Sequence, residues 1–208
     1  MNRSDQKVNN PIGNSPADRV LVDRVLRGDT RAFGIIIKNT EGLVAQIVFK
    51  MIPIAEDRKD MAQDIYLKAF HHLAGFKFQS KLSTWIARIA YNSCLSWIEK
   101  KKLALPGDLQ EEDAHLASTE PAHNRFWVGS EPERRLFQKE LAVILNREID
   151  GLPPIYQTLI TLYHHECLTY EELSQITGLP GGTVKSYLFR ARKMLKENLL
   201  SKYKKEAL

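Results

Sequence analysis

TYEELSQITGLPGGTVKSYLFRARKML, residues 169–195, decides how the chain is read. Thr169 and Glu172 stand at the capping-box spacing, in which each side chain satisfies a free backbone amide of the other's turn. Gly178 is placed to end a short helix in the left-handed region, and Pro180 sits where a helix start tolerates a missing N–H. The longer segment that follows repeats Val184, Leu188, Ala191 and Leu195 along one face. Thr183, Ser186, Arg190 and Lys193 turn away from that face, with Lys185 and Phe189 beside them. A short helix, a glycine-containing turn and a longer basic helix make a helix-turn-helix. The second helix fits a major groove, and its first turns reach base edges. Lys185, Ser186 and Arg190 are then placed to read bases or grip phosphates. An ordinary αα-hairpin with a solvated basic face is the plainer reading; caps, turn and charge together favour the first.

Outward from this stretch the apolar spacing stays helical. The predicted helices of the C-terminal part are 132–149, 153–166, 169–177 and 180–200, with Pro153 and Pro154 suited to a first turn. In the N-terminal part Val20, Leu21, Val25 and Leu26 lie a turn apart, Gly28 stops that helix, and Asp29 caps the next. The second helix runs to about Met51, where Pro53 bars continuation. A third spans 55–73, with Met61, Ile65 and Ala69 on one stripe and Asp57, Asp60, Asp64 and Lys68 on another. A fourth starts near Ser80 and reaches about Lys100. Period-two alternation is absent, so the predicted fold class is all-α.

The chain has 208 residues and a net charge of +5, with 43% apolar and 26% charged residues. That composition excludes a fibrous or wholly disordered chain. The charge is segregated. Residues 103–133 hold seven acids against Arg125, residues 181–208 hold eight bases against Glu197 and Glu206, and residues 71–102 hold six bases against Glu99. The acidic stretch carries Pro106, Gly107, Pro121 and Gly129 and shows no sustained period. It is predicted to be a flexible acidic linker, 102–131, too long for a loop inside a compact domain. Two small helical domains follow, 18–101 and 132–200, with a disordered N-terminal extension at 1–17 and a basic tail at 201–208. The extension has no apolar h-region, and Cys94 and Cys167 are far apart in sequence, so a cytoplasmic chain without membrane insertion is expected.

The segment GFKFQSKLSTWIARIAYNSCLSWIEKKK, residues 75–102, interleaves bases with aromatics. Helical spacing puts Lys81, Thr84, Arg88 and Asn92 on one face and Leu82, Ile86 and Ile89 on another. Such a mixture suits single-stranded nucleic acid, whose phosphates pair with cations and whose bases lie on rings. For Trp85 and Trp97 a core role is preferred; Phe76 and Phe78, in the loop before the helix, are balanced between core and base platform.

Taken together the chain resembles the sigma-70 family, and more narrowly its small extracytoplasmic-function members, which keep the second and fourth sigma regions. GDTRAF (28–33), KDMAQDIYLKAF (59–70), STWIARIAYN (83–92) and GGTVKSYLFRARKML (181–195) carry the resemblance in order and spacing. It implies a bacterial transcription initiation factor for a specialised regulon. Asp60, Gln63 and Asp64 match the motif that docks on the β′ clamp of core RNA polymerase, with the β flap as a second contact. Phe76, Phe78, Lys81, Thr84, Arg88 and Asn92 match the part that captures melted non-template DNA at the minus-10 element. Thr183, Lys185, Ser186, Arg190 and Lys193 fall in the segment that matches the part holding the minus-35 duplex. It also implies an anti-sigma partner. Many relatives carry Asp four residues after the helix Asn and Arg three further on; here those places are Ser96 and Glu99.

His164, His165, Glu166 and Cys167 adjoin, but adjacent helical side chains diverge and a structural zinc ion wants four convergent ligands, so no metal is expected. No cofactor is expected, and no nucleophile–base pair or phosphate-cradling loop supports an enzyme. A duplex-binding regulator acting as a dimer and a protein-interaction adaptor are the other classes the sequence admits.

Overall fold

The computed structural model describes residues 15–104 and 132–203, with side chains over 15–101 and 140–203. The linker beyond Ala104, most of the N-terminal extension and the last five residues lie outside the described residues. Every regular element described is helical. The first domain contains α1 (Pro16–Leu26), α2 (Thr30–Met51), α3 (Ala55–His72), a 3-10 turn (Leu73–Gly75) and α4 (Leu82–Ala104). The second contains α5 (Pro132–Asp150), α6 (Pro154–His164), α7 (Tyr170–Thr177) and α8 (Gly181–Tyr203).

Local chemistry sets the ends. The Ser15 hydroxyl accepts from the Ala17 amide, and Pro16 takes the first helical position, so α1 begins inside the stretch expected to be disordered. Its buried positions are Val22 and Val25, while Val20 and Leu26 are exposed. The expected stripe was thus out of phase: the side of α1 facing α2 runs through Val22 and Val25, with Leu21 half-buried at its edge. Gly28, at φ 95°, reverses the chain, and the Asp29 carboxylate caps α2 by accepting from the Arg31 and Ala32 amides. Arg24 reaches the same carboxylate at 2.7 Å and, as the largest influence, holds it below its ordinary pKa. α4 opens at Leu82 rather than near Ser80, whose hydroxyl donates to the Lys81 carbonyl. α6 stops at His164, two residues early, because Cys167 takes a left-handed φ of 53°.

α2 is long and apolar, and its stripe from Phe33 through Ile36, Val44 and Ile47 to Met51 lies in the core. Ile36, Ile47, Ile65 and Ile86 are fully buried together in the first domain; Leu159, Leu162, Leu173 and Leu188 are their counterparts in the second. The Thr40 hydroxyl and the Tyr66 phenol meet at 3.1 Å and join α2 to α3. The two domains pack on one another, α4 against α7 and α2 against α6.

Candidate nucleic-acid interface

α8 carries the helix-turn-helix surface. The capping box forms as read: the Thr169 amide donates to Glu172 Oε2 at 2.9 Å, and the Glu172 amide donates to Thr169 Oγ1 at 3.2 Å. Gly178, at φ 74°, donates its amide to the Ser174 carbonyl and turns the chain, a conformation that costs an L-residue about 1–2 kcal/mol. Val184, Leu188 and Ala191 are fully buried beneath α8, and Leu195 is half-buried. Lys185, Ser186, Arg190 and Lys193 are exposed, and Thr183 is half-buried at the helix start. The Lys185 ammonium lies over the Tyr170 ring, 5.4 Å from its centre, and the Ser186 hydroxyl donates back to the Gly182 carbonyl at 3.0 Å. Lys193 is 3.9 Å from Glu197. Phe189 is 68% exposed between these cations, an apolar side chain with no structural burial.

The histidines beside α6 serve this domain. His164 Nε2 accepts from Arg192 at 3.3 Å, and burial, with the guanidinium behind it, lowers its pKa. His165 Nδ1 is 3.0 Å from Glu166. Arg192 also covers the Tyr163 ring, which stacks on Tyr170.

In the first domain the predicted single-strand residues divide. Phe76 is buried, packed on Phe78 at 4.7 Å and on Trp85 at 5.1 Å between ring centres. Phe78 is half-buried at a left-handed φ of 56°, with Arg19 of α1 over its ring. A bulky side chain in that region is an outlier of the kind that collects at ligand sites. Phe76 and Trp85 wall a cavity of about 390 Å³, together with Lys77, Thr84, Arg88 and Gln175. Arg88 and Asn92 are exposed. Thr84, expected on the same open face, is only 2% exposed, because α7 of the second domain covers that part of α4; its hydroxyl has no hydrogen-bond partner. Lys81 is paired with Glu172 at 2.8 Å. Burial pushes the Glu172 carboxyl up, but the Lys81 ammonium and the Thr169 amide oppose it, and the balance lies below the ordinary value. Gln175 was not legible as a wall of this cavity, since 91 positions separate it from Thr84.

Asp60, Gln63 and Asp64 are all exposed on α3, opposite the buried Met61, Ile65 and Ala69. Leu67 and Phe70 extend that surface by one and two turns and are 57% and 41% exposed. Sequence reasoning passed over Leu67, although its spacing from Asp60 and Asp64 was a usable signal.

Family models match both domains: Sigma-70 region 2 over residues 36–103, and Sigma-70, region 4 over residues 142–195. The chain belongs to the sigma-70 family. It is 33% identical over 178 residues to the ECF RNA polymerase sigma-E factor of Escherichia coli K12, covering 86% of this chain and 92% of that one. It is 31% identical over 183 residues to the RNA polymerase sigma-H factor of Pseudomonas aeruginosa, covering 88% and 93%. The fold is that of CnrH bound to the cytosolic domain of CnrY (TM-score 0.59, 22% identity, 89% of this chain and 99% of that one). It is equally that of the sigma factor RpoE with the anti-sigma factor NepR from Bartonella quintana (TM-score 0.60, 22% identity, 82% and 98%). The sigma factor is therefore of the extracytoplasmic-function group, a transcription initiation factor that binds RNA polymerase and promoter DNA, and not an enzyme.

Proposed function

We propose that this sigma factor divides promoter recognition between the α4 cavity and the exposed face of α8, while α3 docks on polymerase. The observation that carries the reading is Thr84. A buried hydroxyl without a partner, set in a cavity between aromatic rings and the Arg88 guanidinium, suits a polar ring edge. A base unstacked from the minus-10 element on the non-template strand supplies one. Lys81, Arg88 and Asn92 then hold phosphates and sugars around it, and Phe78 and Trp85 offer stacking faces. Phe76, being buried, acts by shaping the wall. On α8, Lys185, Ser186 and Arg190 address base edges of the minus-35 duplex, and Thr183 and Lys193 its phosphates. Asp60, Gln63 and Asp64 meet a basic surface of the clamp, where charge complementarity mainly affects specificity and on-rate. The β flap is the second polymerase contact, through the second domain. Such a factor works in the cytoplasm and serves a specialised regulon.

In vitro transcription with core polymerase on a randomised promoter library tests this. Two enriched elements are expected, the upstream one lost with Arg190→Ala and the downstream one with Arg88→Ala. Footprinting of a palindromic operator by the free chain, with no binding to core, would overturn it. Two solved neighbours were captured with CnrY and NepR, and we assign this chain an inhibitory partner of the same kind. Purification of inactive sigma factor from its own cells with no companion protein would refute that.

A further inference from the structure

α4 is basic where it meets the cavity and acidic where it runs away from it. Helical spacing sets Arg88, Asn92, Leu95 and Glu99 in one line, at i, i+4, i+7 and i+11. All four are exposed, so the line is a surface that a long ligand can follow. Glu99 is the single acid among residues 71–102, against six bases. Its carboxylate has no ion pair or hydrogen bond among the described residues. Lys101, two positions on, is turned to Asp57 at 3.2 Å and lies over the Trp97 ring, 4.3 Å from its centre. Lys100 projects about 100° round the helix from Glu99. The charge of Glu99 therefore acts outward, along the Arg88 line. Exposed and unpaired, it does nothing for the packing of α4.

We propose that Glu99 is a specificity-determining residue of the minus-10 surface, acting by repulsion. The proposal rests on the assignment of the α4 cavity to melted DNA. Arg88, on the cavity wall, and Glu99 are about 16 Å apart at ~1.5 Å per residue. DNA rises about 3.4 Å per step, so a promoter that follows α4 passes Glu99 about five steps from the captured base. There its phosphates meet a carboxylate instead of a cation. Attraction to phosphates is the same for every sequence, whereas the fit of a base in the cavity is not. Repulsion at Glu99 lowers the sequence-independent part of the affinity and leaves the cavity contact to decide. At a given concentration of sigma factor, only promoters whose base fits well are then held long enough to open.

The full chain on core polymerase is tested with two forked DNAs. Each carries the minus-35 element enriched from the promoter library, duplex DNA after it, and a single-stranded non-template minus-10 segment. One keeps the enriched minus-10 sequence, and the other has it scrambled. Glu99→Gln removes the charge at nearly constant shape. It is expected to bind both forks about two- to fivefold more tightly at low salt, the size of one screened charge near a phosphate. Glu99→Lys is expected to gain a similar factor again and to steepen the salt slope by about one. Thermal unfolding should not change in either variant. In transcription of the randomised library, Glu99→Lys should accept more minus-10 sequences than wild type. Unchanged or weaker binding in both variants would overturn the proposal. So would a loss confined to forks with cytosine at one position, since Glu99 would then be an acceptor for that base's amine. Arg88→Ala separates the two assignments. If it binds the enriched fork as wild type does, the reading of the cavity fails. If it weakens that fork while the Glu99 variants gain nothing, the cavity stands and the role of Glu99 falls.

Discussion

α4 and α8 are built to one plan and differ in what they leave open. Each is a long helix with a buried apolar stripe beneath and cations above: Ile86 and Ala90 under Arg88, Leu188 and Ala191 under Arg190. Along α8 Lys185, Arg190 and Lys193 stand exposed with Phe189 between them, a basic helix face available to a groove about 12 Å wide. Around α4 the preceding loop, with Phe76, stands up beside the helix and walls a cavity together with Trp85. Similar charge thus produces two kinds of recognition. The open helix suits stacked, paired bases; the walled one suits a base removed from its stack.

The burial beneath the two domains differs too, and thiol chemistry exposes it. Cys94 lies wholly buried on the inner face of α4, and burial pushes its thiol up to about 12. Cys167 is exposed beyond α6. At pH 8 roughly one Cys94 in ten thousand is thiolate. A maleimide or disulfide reagent should therefore modify Cys167 promptly and Cys94 more than about a thousandfold more slowly than an ordinary thiol. Equal rates would show that the first domain is open in solution.

Next in size come the apolar stripes. Ile86→Ala and Leu188→Ala each remove a fully buried side chain and should cost about 2–5 kcal/mol of unfolding free energy. Urea melts with labels in each domain would show whether one loss destabilises both domains, as the packing of α4 on α7 requires. Smaller again is Arg190→Ala. It should leave the melt unchanged and cost about 1–3 kcal/mol of discrimination at one position of the minus-35 element. Lys185→Ala should lower the salt slope of duplex binding by about one if it grips a phosphate. Loss of binding to every sequence alike in Arg190→Ala would turn that arginine from a base reader into a phosphate contact.

The sequence carried the fold well because its signals are local. Asp29, Gly28, Thr169, Glu172 and Gly178 act within a few residues, and each stands as its chemistry requires. Pro16 behind Ser15 is an equally local start signal, missed because the surrounding residues are polar. The phase of α1 was misread because five apolar residues, Val20, Leu21, Val22, Val25 and Leu26, crowd two turns and only the neighbour decides which are inside. What could not be read is whatever two distant segments make together. Lys81 and Thr84 lie where a basic, polar face predicts solvent, and their exposure is altered by Glu172 and Gln175. No periodicity within either segment encodes that meeting.

Thr84→Val gives the smallest effect and the sharpest separation of the two helices. A buried hydroxyl left unpaired costs about 1–3 kcal/mol, and a methyl of similar shape removes that cost. The variant should therefore be as stable as wild type or gain up to about 1 kcal/mol. If the hydroxyl has no task but packing, transcription should be unaffected. If it waits for a base, the more stable protein should transcribe less from promoters limited by minus-10 melting, and bind the minus-35 duplex as before. A stability gain with a melting defect is an outcome that packing alone does not produce. Loss of stability would mean instead that Thr84 already has a partner, such as an ordered water, and that the cavity is filled before DNA arrives.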